Sequence, residues 1–264
     1  MREFKVFSAL ADLATGATDI IFPRLCAACG KKLLGESESK ICVSCWSEIV
    51  FLRYPLCRIC GRELAGDKER NHLCGACLRD PPPYLLARSV LRYTAPVQML
   101  LYGLKYGSDT SVLPGVAELV SQFDMTPFDE CDYVIPVPLH IKKLRRRGMN
   151  QSILLAKCIF SKKTQTRLRT DLLVRGRNTV SQTSLDGVQR RKNLAGAFVV
   201  VKKAALEKKV ICLVDDVFTT GTTVCECSRI LYKQGAKEVK VITLTRAELA
   251  INSFQLTPVN GKKE

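Results

Sequence analysis

The chain has 264 residues, 47% of them hydrophobic, and 41 Lys+Arg against 25 Asp+Glu give a net charge of +16. That length can hold one or two domains around a substantial core. There is no run of apolar residues long enough to cross a bilayer and no signal-type cleavage context, which sets the expectation of a cytoplasmic protein. A disulfide scaffold belongs to short secreted chains, so the 13 cysteines point to metal instead.

In chain order, Phe4–Leu25 is apolar in patches interrupted by Asp12 and Asp19, which predicts an amphipathic helix ending before Pro23. Four Cys-x-x-Cys pairs follow: Cys26/Cys29, Cys42/Cys45, Cys57/Cys60 and Cys74/Cys77. Gaps of 12, 11 and 13 residues separate them, the spacing of zinc ribbons. Cys26-Ala-Ala-Cys29-Gly30 recurs as Cys57-Arg-Ile-Cys60-Gly61, so the segment is an internal repeat. The glycine suits the tight knuckle that turns backbone N–H groups toward sulfur. Two ribbons with one four-thiolate Zn²⁺ each are expected, Cys26, Cys29, Cys42 and Cys45 in the first and Cys57, Cys60, Cys74 and Cys77 in the second. A cross-braced pairing and iron–sulfur ligation stay open at this point. Four thiolates leave no open position, so the sites read as structural. Each filled centre carries about two negative charges, which brings the net charge to about +12. Cys131, Cys158, Cys212, Cys225 and Cys227 read as buried small hydrophobes.

Pro81-Pro82-Pro83 marks a stiff boundary. Beyond it the pattern predicts a strand-like run at Leu85–Tyr93, a helix over Val97–Lys105 and another over Ser111–Phe123. Asp132–Val137 reads as the first strand of a sheet. The basic stretch Lys142–Gln151 reads as a loop after that strand, and a helix runs on to Phe160. Between Lys142 and Lys192 lie fifteen basic residues against Asp171 and Asp186, a field that attracts polyanions. Leu172–Val174 and Ala197–Val201 read as strands. The Arg- and hydroxyl-rich insertion between them suits a lid over a charged intermediate.

Val210–Val214 is an unbroken apolar run, as in a strand buried on both faces. Asp215-Asp216 and Thr219-Thr220-Gly221-Thr222-Thr223 follow, then a helix from Val224 to Gln234 stopped by Gly235, and a strand at Val239–Thr245. This is a βαβ unit with its acids and hydroxyls at the carboxyl end of a strand, where open α/β sheets bind ligands. A Gly turn opening a helix presents N–H groups to an anion, and paired carboxylates accept from a vicinal diol. Together they describe a site for ribose 5-phosphate. His72 and His140 form no constellation that argues for hydrolysis.

The Val210–Thr223 segment resembles the phosphoribosyl pyrophosphate (PRPP) motif of type I phosphoribosyltransferases. With the double ribbon, Pro136-Val-Pro-Leu139, Arg147-Gly-Met-Asn150-Gln151, Gln182, Arg190 with Asn193, and Gly196-Ala-Phe198, the chain is similar to the ComF family. The resemblance implies an α/β parallel-sheet phosphoribosyltransferase domain preceded by a small zinc-ribbon module. The divisions would be residues 1–24, an N-terminal helix; 25–82, a double zinc ribbon; 83–250, the phosphoribosyltransferase-like domain; and 251–264, a C-terminal tail. It further implies that Asp215 and Asp216 hold ribose hydroxyls, directly or through Mg²⁺, and that Thr219, Thr220, Gly221, Thr222 and Thr223 cradle the 5-phosphate. Lys143, Arg145 and Arg147 would face pyrophosphate, and Arg190 and Asn193, with Arg177 and Gln182, would belong to the lid. The implied ligand is PRPP or a nucleotide 5-phosphate. Single-stranded DNA and competence or DNA-translocation proteins are the implied partners, in DNA uptake. An enzyme of nucleotide metabolism with no DNA role is the alternative, with its acceptor open.

Overall fold

The computed structural model describes residues 23–33, 38–65, 72–107, 109–160, 167–177 and 194–247. The expected N-terminal helix, the C-terminal tail and the lid segment with Gln182, Arg190 and Asn193 lie outside them.

The two cysteine modules come first, with short helices α1 (Val43–Glu48) and α2 (Gly75–Arg79). Strand β1 (Leu86–Arg92) leads to α3 (Ala95–Tyr102), a π turn (Gly103–Gly107) and α4 (Leu113–Val120). Next are β2 (Tyr133–Pro136), α5 (Ile141–Arg147) and α6 (Gln151–Ile159). A hairpin of β3 (Leu173–Arg175) and β4 (Phe198–Val200) precedes β5 (Val210–Phe218), α7 (Thr222–Lys233) and β6 (Glu238–Arg246).

Among the described residues the main sheet runs β1-β6-β5-β2, with every pairing parallel. Leu168 adds a parallel bridge outside β2, at Val134. From β2 the chain therefore steps outward to Leu168, whereas β5, on the other side of β2, leads on to β6. The crevice between the carboxyl ends of β2 and β5 is a topological switch point, the place where such sheets bind ligands. Both faces are covered, so β6 buries eight of its nine side chains and β5 buries six, including four of the continuous apolar run Val210–Val214.

Two expectations change. The strand-like run at Leu85–Tyr93 is itself the edge strand of the main sheet, so Asp132–Val137 is not its first member. The basic stretch after β2 is a helix rather than a loop. His140 caps it by accepting from Lys142 N at 3.3 Å, and Gly148 ends it at φ 74°. Five cations in seven residues conceal this helix from a hydrophobic-periodicity reading. Of the five other cysteines, Cys131, Cys212 and Cys227 are buried as expected, and Cys158 and Cys225 are only half-buried.

Candidate functional site

Each cysteine module closes on itself. The Sγ atoms of Cys26, Cys29, Cys42 and Cys45 lie within 4.8 Å of one another, and so do those of Cys57, Cys60, Cys74 and Cys77. The pairing is sequential, and the cross-braced alternative is ruled out. The edge of a tetrahedron with Zn–S near 2.3 Å is about 3.8 Å; Cys29–Cys42 and Cys60–Cys74 Sγ pairs stand at 3.7 Å. Cys42 N and Cys74 N each donate to the first sulfur of their cluster at 3.3 Å. Geometry, thiolate donors and N–H support all fit structural Zn²⁺.

The modules dock on different neighbours. The first lies on α4, where Glu118 accepts from Ser39 Oγ and Lys40 N at 2.8 Å each. The second lies on β1, where Ala87 N donates to Ile59 O at 2.6 Å. Gly61 approaches this strand so closely that a Cβ would stand 2.4 Å from Ala87 O.

At the switch point, residues after β2 and residues of β5 line a cleft of about 260 Å³. Strand β2 ends against Val214, so β5 continues alone on that side. Asp215 and Asp216 both line the cleft, as do Thr219, Gly221, Thr222 and Thr223. Thr220 turns toward the second ribbon, its Oγ1 2.7 Å from Thr222 Oγ1. Helix α7 opens at Gly221, φ 75°, with no side-chain cap, so its first turn suits an anion.

The acids are held differently. Asp216 is buried and pairs with Lys105 at 2.5 Å, accepting also from Val217 N at 2.8 Å. Burial works against its ionisation, but the Lys105 ammonium, together with the Val217 N and Gln151 donors, holds Asp216 below the usual carboxylate range. Asp215 accepts from Ser152 Oγ at 3.2 Å and from Asp216 N at 2.9 Å. Burial, then the Asp216 charge, pushes Asp215 up to about 7.

Opposite the acids stands a cationic wall. Helix α5 splits its charges by spacing: Lys143 and Arg147, four apart, line the cleft, while Lys142, Arg145 and Arg146 are exposed. Arg175, at the end of β3, completes the wall. Burial, then the Arg175, Arg147 and Arg146 charges, holds Lys143 below the ordinary lysine range. Four cations (Lys105, Lys143, Arg147, Arg175) thus face two carboxylates, and the cleft is built for a ligand richer in negative charge than its acids.

Sequence reasoning brought the acid pair, the Thr-Gly turn, Lys143 and Arg147 together, and the structure adds Lys105, Arg175, Gln151 and Ser152. Lys105 carried a usable signal, a lone cation in an otherwise apolar segment between Gly103 and Gly107. Elsewhere in the basic stretch, Arg167 donates to Asp129 O and Cys131 O, and Arg169 pairs with Asp171 at 2.9 Å. Those two cations are engaged within the fold, away from the cleft.

Residues 17–78 match the family described as double zinc ribbon domain. The chain is 33% identical over 185 residues to the DNA utilization protein YhgH of Salmonella typhimurium, covering 66% of this chain and 77% of that one. It is 31% identical over 182 residues to competence protein F of Haemophilus influenzae, at 66% and 78% coverage. To competence protein ComFC of Bacillus subtilis it is 26% identical over 220 residues, at 80% and 86% coverage. Among the described residues no helix is long and apolar enough to cross a membrane.

Proposed function

The chain belongs to the ComF family, and we propose that its switch-point cleft binds PRPP or a nucleotide 5-phosphate, in a protein that serves DNA utilization. The observation that carries this reading is the convergence of the acid pair, the uncapped Thr-Gly turn and four cations in one cleft. The turn and the α7 amides take the 5-phosphate, Asp215 accepts from the ribose hydroxyls, and Lys143, Arg147 and Arg175 face the diphosphate. Asp216 is a weaker candidate for direct contact, because Lys105 already occupies it.

The oxygen donors of the cleft fit Mg²⁺, which takes one or two carboxylates plus substrate phosphates. Half-buried Asp215 shares the cleft with Gln151, whose Nε2 donates to Asp216 at 3.5 Å and whose Oε1 is a buried acceptor without a hydrogen-bond partner among the described residues. Asp215 would hold such an ion, which would supply charge neutralisation for a diphosphate. Lys143 and Arg147 raise local anion concentration and fix its orientation, and the apolar Val137–Leu139 segment limits water on that side.

The exposed face of α5 supports single-stranded DNA binding, since Lys142, Arg145 and Arg146 point away from the cleft beside it. The names of the relatives, a DNA utilization protein and competence proteins, support the same reading. The alternative, phosphoribosyl transfer to a small acceptor with no DNA role, rests on the same acid pair.

Isothermal titration with PRPP and Mg²⁺ tests the ligand. Asp215→Asn is expected to weaken binding at least tenfold while leaving the circular dichroism spectrum unchanged. Lack of binding by the wild-type protein at millimolar PRPP and at millimolar nucleoside 5-monophosphate would sink the reading. For DNA, each single-strand phosphate contact contributes about 0.7 to the slope of log K against log salt. Substituting Lys142, Arg145 and Arg146 by Gln should flatten that slope by about 2. Release of pyrophosphate in an acceptor screen would favour the transferase.

A further inference from the structure

Arg246, the last residue of β6, is only 7% exposed. A buried guanidinium needs acceptors and a counter-charge. Its Nη1 donates to Cys60 O at 2.7 Å and its Nη2 approaches Cys60 Sγ at 3.8 Å. Among the described residues no carboxylate pairs with it. The counter-charge is therefore the second four-thiolate centre, which carries about two negative charges with zinc bound.

The opposite side of the same guanidinium stacks on Phe218, 4.4 Å from the ring centroid. The sheet fixes that stack, because Phe218 and Arg246 are register partners across β5 and β6. The Phe218 ring in turn supports Gly221: a Cβ there would stand 2.7 Å from Phe218 Cζ. Gly221 opens α7, and its neighbours Thr219, Thr220 and Thr222 line a further cavity of about 260 Å³ shared with Cys60, Cys74 and Cys77. Metal ligand, guanidinium, aromatic ring and anion turn thus follow one another in direct contact.

We propose that Arg246 is a positioning residue that couples the second zinc centre to the Thr219–Thr223 turn, so that metal occupancy there sets the affinity of the cleft for a phosphoryl ligand. This inference rests on the reading of that turn as a phosphate cradle. The first zinc centre, docked on α4, reaches the cleft only through the cavity it shares with Lys105; among the described residues it has no contact with the Thr219–Thr223 turn and is not coupled to that turn. Coupling between sites is reciprocal. The phosphoryl ligand must tighten zinc at the second centre by the factor by which that zinc tightens the ligand, and must leave the first ion unchanged.

The test measures zinc affinity of the full chain by chelator competition, with and without saturating PRPP and Mg²⁺. Wild-type protein is expected to hold one of its two ions more tightly when PRPP is present, by about fivefold or more, in the range of ordinary coupling. Arg246→Met removes an outer hydrogen bond to a ligating sulfur, so that ion should weaken by about tenfold and lose its response to PRPP. Arg246→Lys keeps the charge without the planar stack, and should retain more zinc than Met while still losing the response. Equal responses of both ions, or no response in a protein that binds PRPP, overturns the coupling.

Amide hydrogen exchange at residues 219–223 separates this failure from failure of the ligand reading. Cys77→Ser should speed exchange in the turn and Cys45→Ser should not, whether or not PRPP binds. Equal exchange in the two variants also overturns the coupling.

Discussion

The two zinc modules are copies at the level of the knuckle and opposites at the level of what they touch. Cys26 N donates to Lys31 O at 2.8 Å and Cys57 N to Arg62 O at 2.7 Å; Gly30 and Gly61 sit at φ 71° and 68°. Within each module the same residue types at the same spacing give the same geometry. Outside it, the first lies against α4 and shares a cavity with Lys105, the partner of Asp216, and the second lies between the sheet edge and the anion turn. A sequence repeat therefore specifies a metal site, while the function of that site is set by the surface it docks on.

The largest expected effect tests the shared half of this comparison. Structural zinc in such motifs is worth about 10–16 kcal/mol of apparent binding free energy at neutral pH. Metal analysis should return two zinc ions per chain, and prolonged chelation should collapse both modules. Cys29→Ser and Cys60→Ser should each cost one ion. A content of one ion in the wild-type protein would mean that one module is held by packing alone.

The next effect asks whether the acid pair depends on either module. Lys105 sits on the π turn after α3, and its ion pair with Asp216 joins a half-buried ammonium to a buried carboxylate, with side-chain exposures of 22% and 10%. Lys105→Met leaves Asp216 uncompensated in the cleft, at a cost of about 3–5 kcal/mol in thermal or denaturant unfolding. Both zinc ions should remain in the folded fraction. Loss of zinc before global unfolding would tie the pair to the ribbons and blur the distinction.

Asp215 gives a pH signature to the same cleft. Its pKa in the folded protein is raised to about 7, so the fold favours its protonated form. The group's contribution to stability is present below the ordinary carboxylate range and is lost as pH rises through about 7. Asp215→Asn should therefore raise the melting temperature more at pH 8 than at pH 5. Conversely, a ligand that needs the carboxylate as acceptor should bind more tightly to the wild type as pH rises from 6 to 8, releasing a proton, and the variant should lose that component. Titration calorimetry in buffers of different ionisation enthalpy reads the proton directly. The side of the molecule coupled to the second zinc is thus also the side sensitive to pH.

These tests separate what a linear sequence records from what it does not. Asp215, Asp216 and the Thr-Gly turn were legible because one βαβ unit carries them within nine residues of strand and turn, and each residue type there has a local chemical reason. The ribbons were legible for the same reason. Lys105 and Arg175 reach the cleft from elements 110 and 40 residues upstream of Asp215; Lys105 stands out as a lone cation in an apolar segment, but no local pattern says that either residue meets Asp215. Helix α5 was hidden by its own charge, although His140 and Gly148 were available as start and stop signals. Arg246 sits at the end of a buried strand, and its role depends wholly on Cys60 and Phe218, which are adjacent only in the folded sheet. The lid expected around Arg190 and Asn193 lies outside the described residues.

The smallest effect isolates docking from metal chemistry. Gly30 and Gly61 occupy the same place in the repeat, both in the left-handed region, where a Cβ costs about 1 kcal/mol. At Gly30 nothing lies within 4 Å of an added Cβ, whereas at Gly61 it would meet Ala87 O at 2.4 Å. Gly30→Ala should therefore lower stability by about 1 kcal/mol. Gly61→Ala should cost more, because a β1 backbone oxygen cannot move aside as a side chain can. If the two substitutions cost the same while zinc content is unchanged, the second module does not press on the sheet edge, and its contact with the anion turn loses its support.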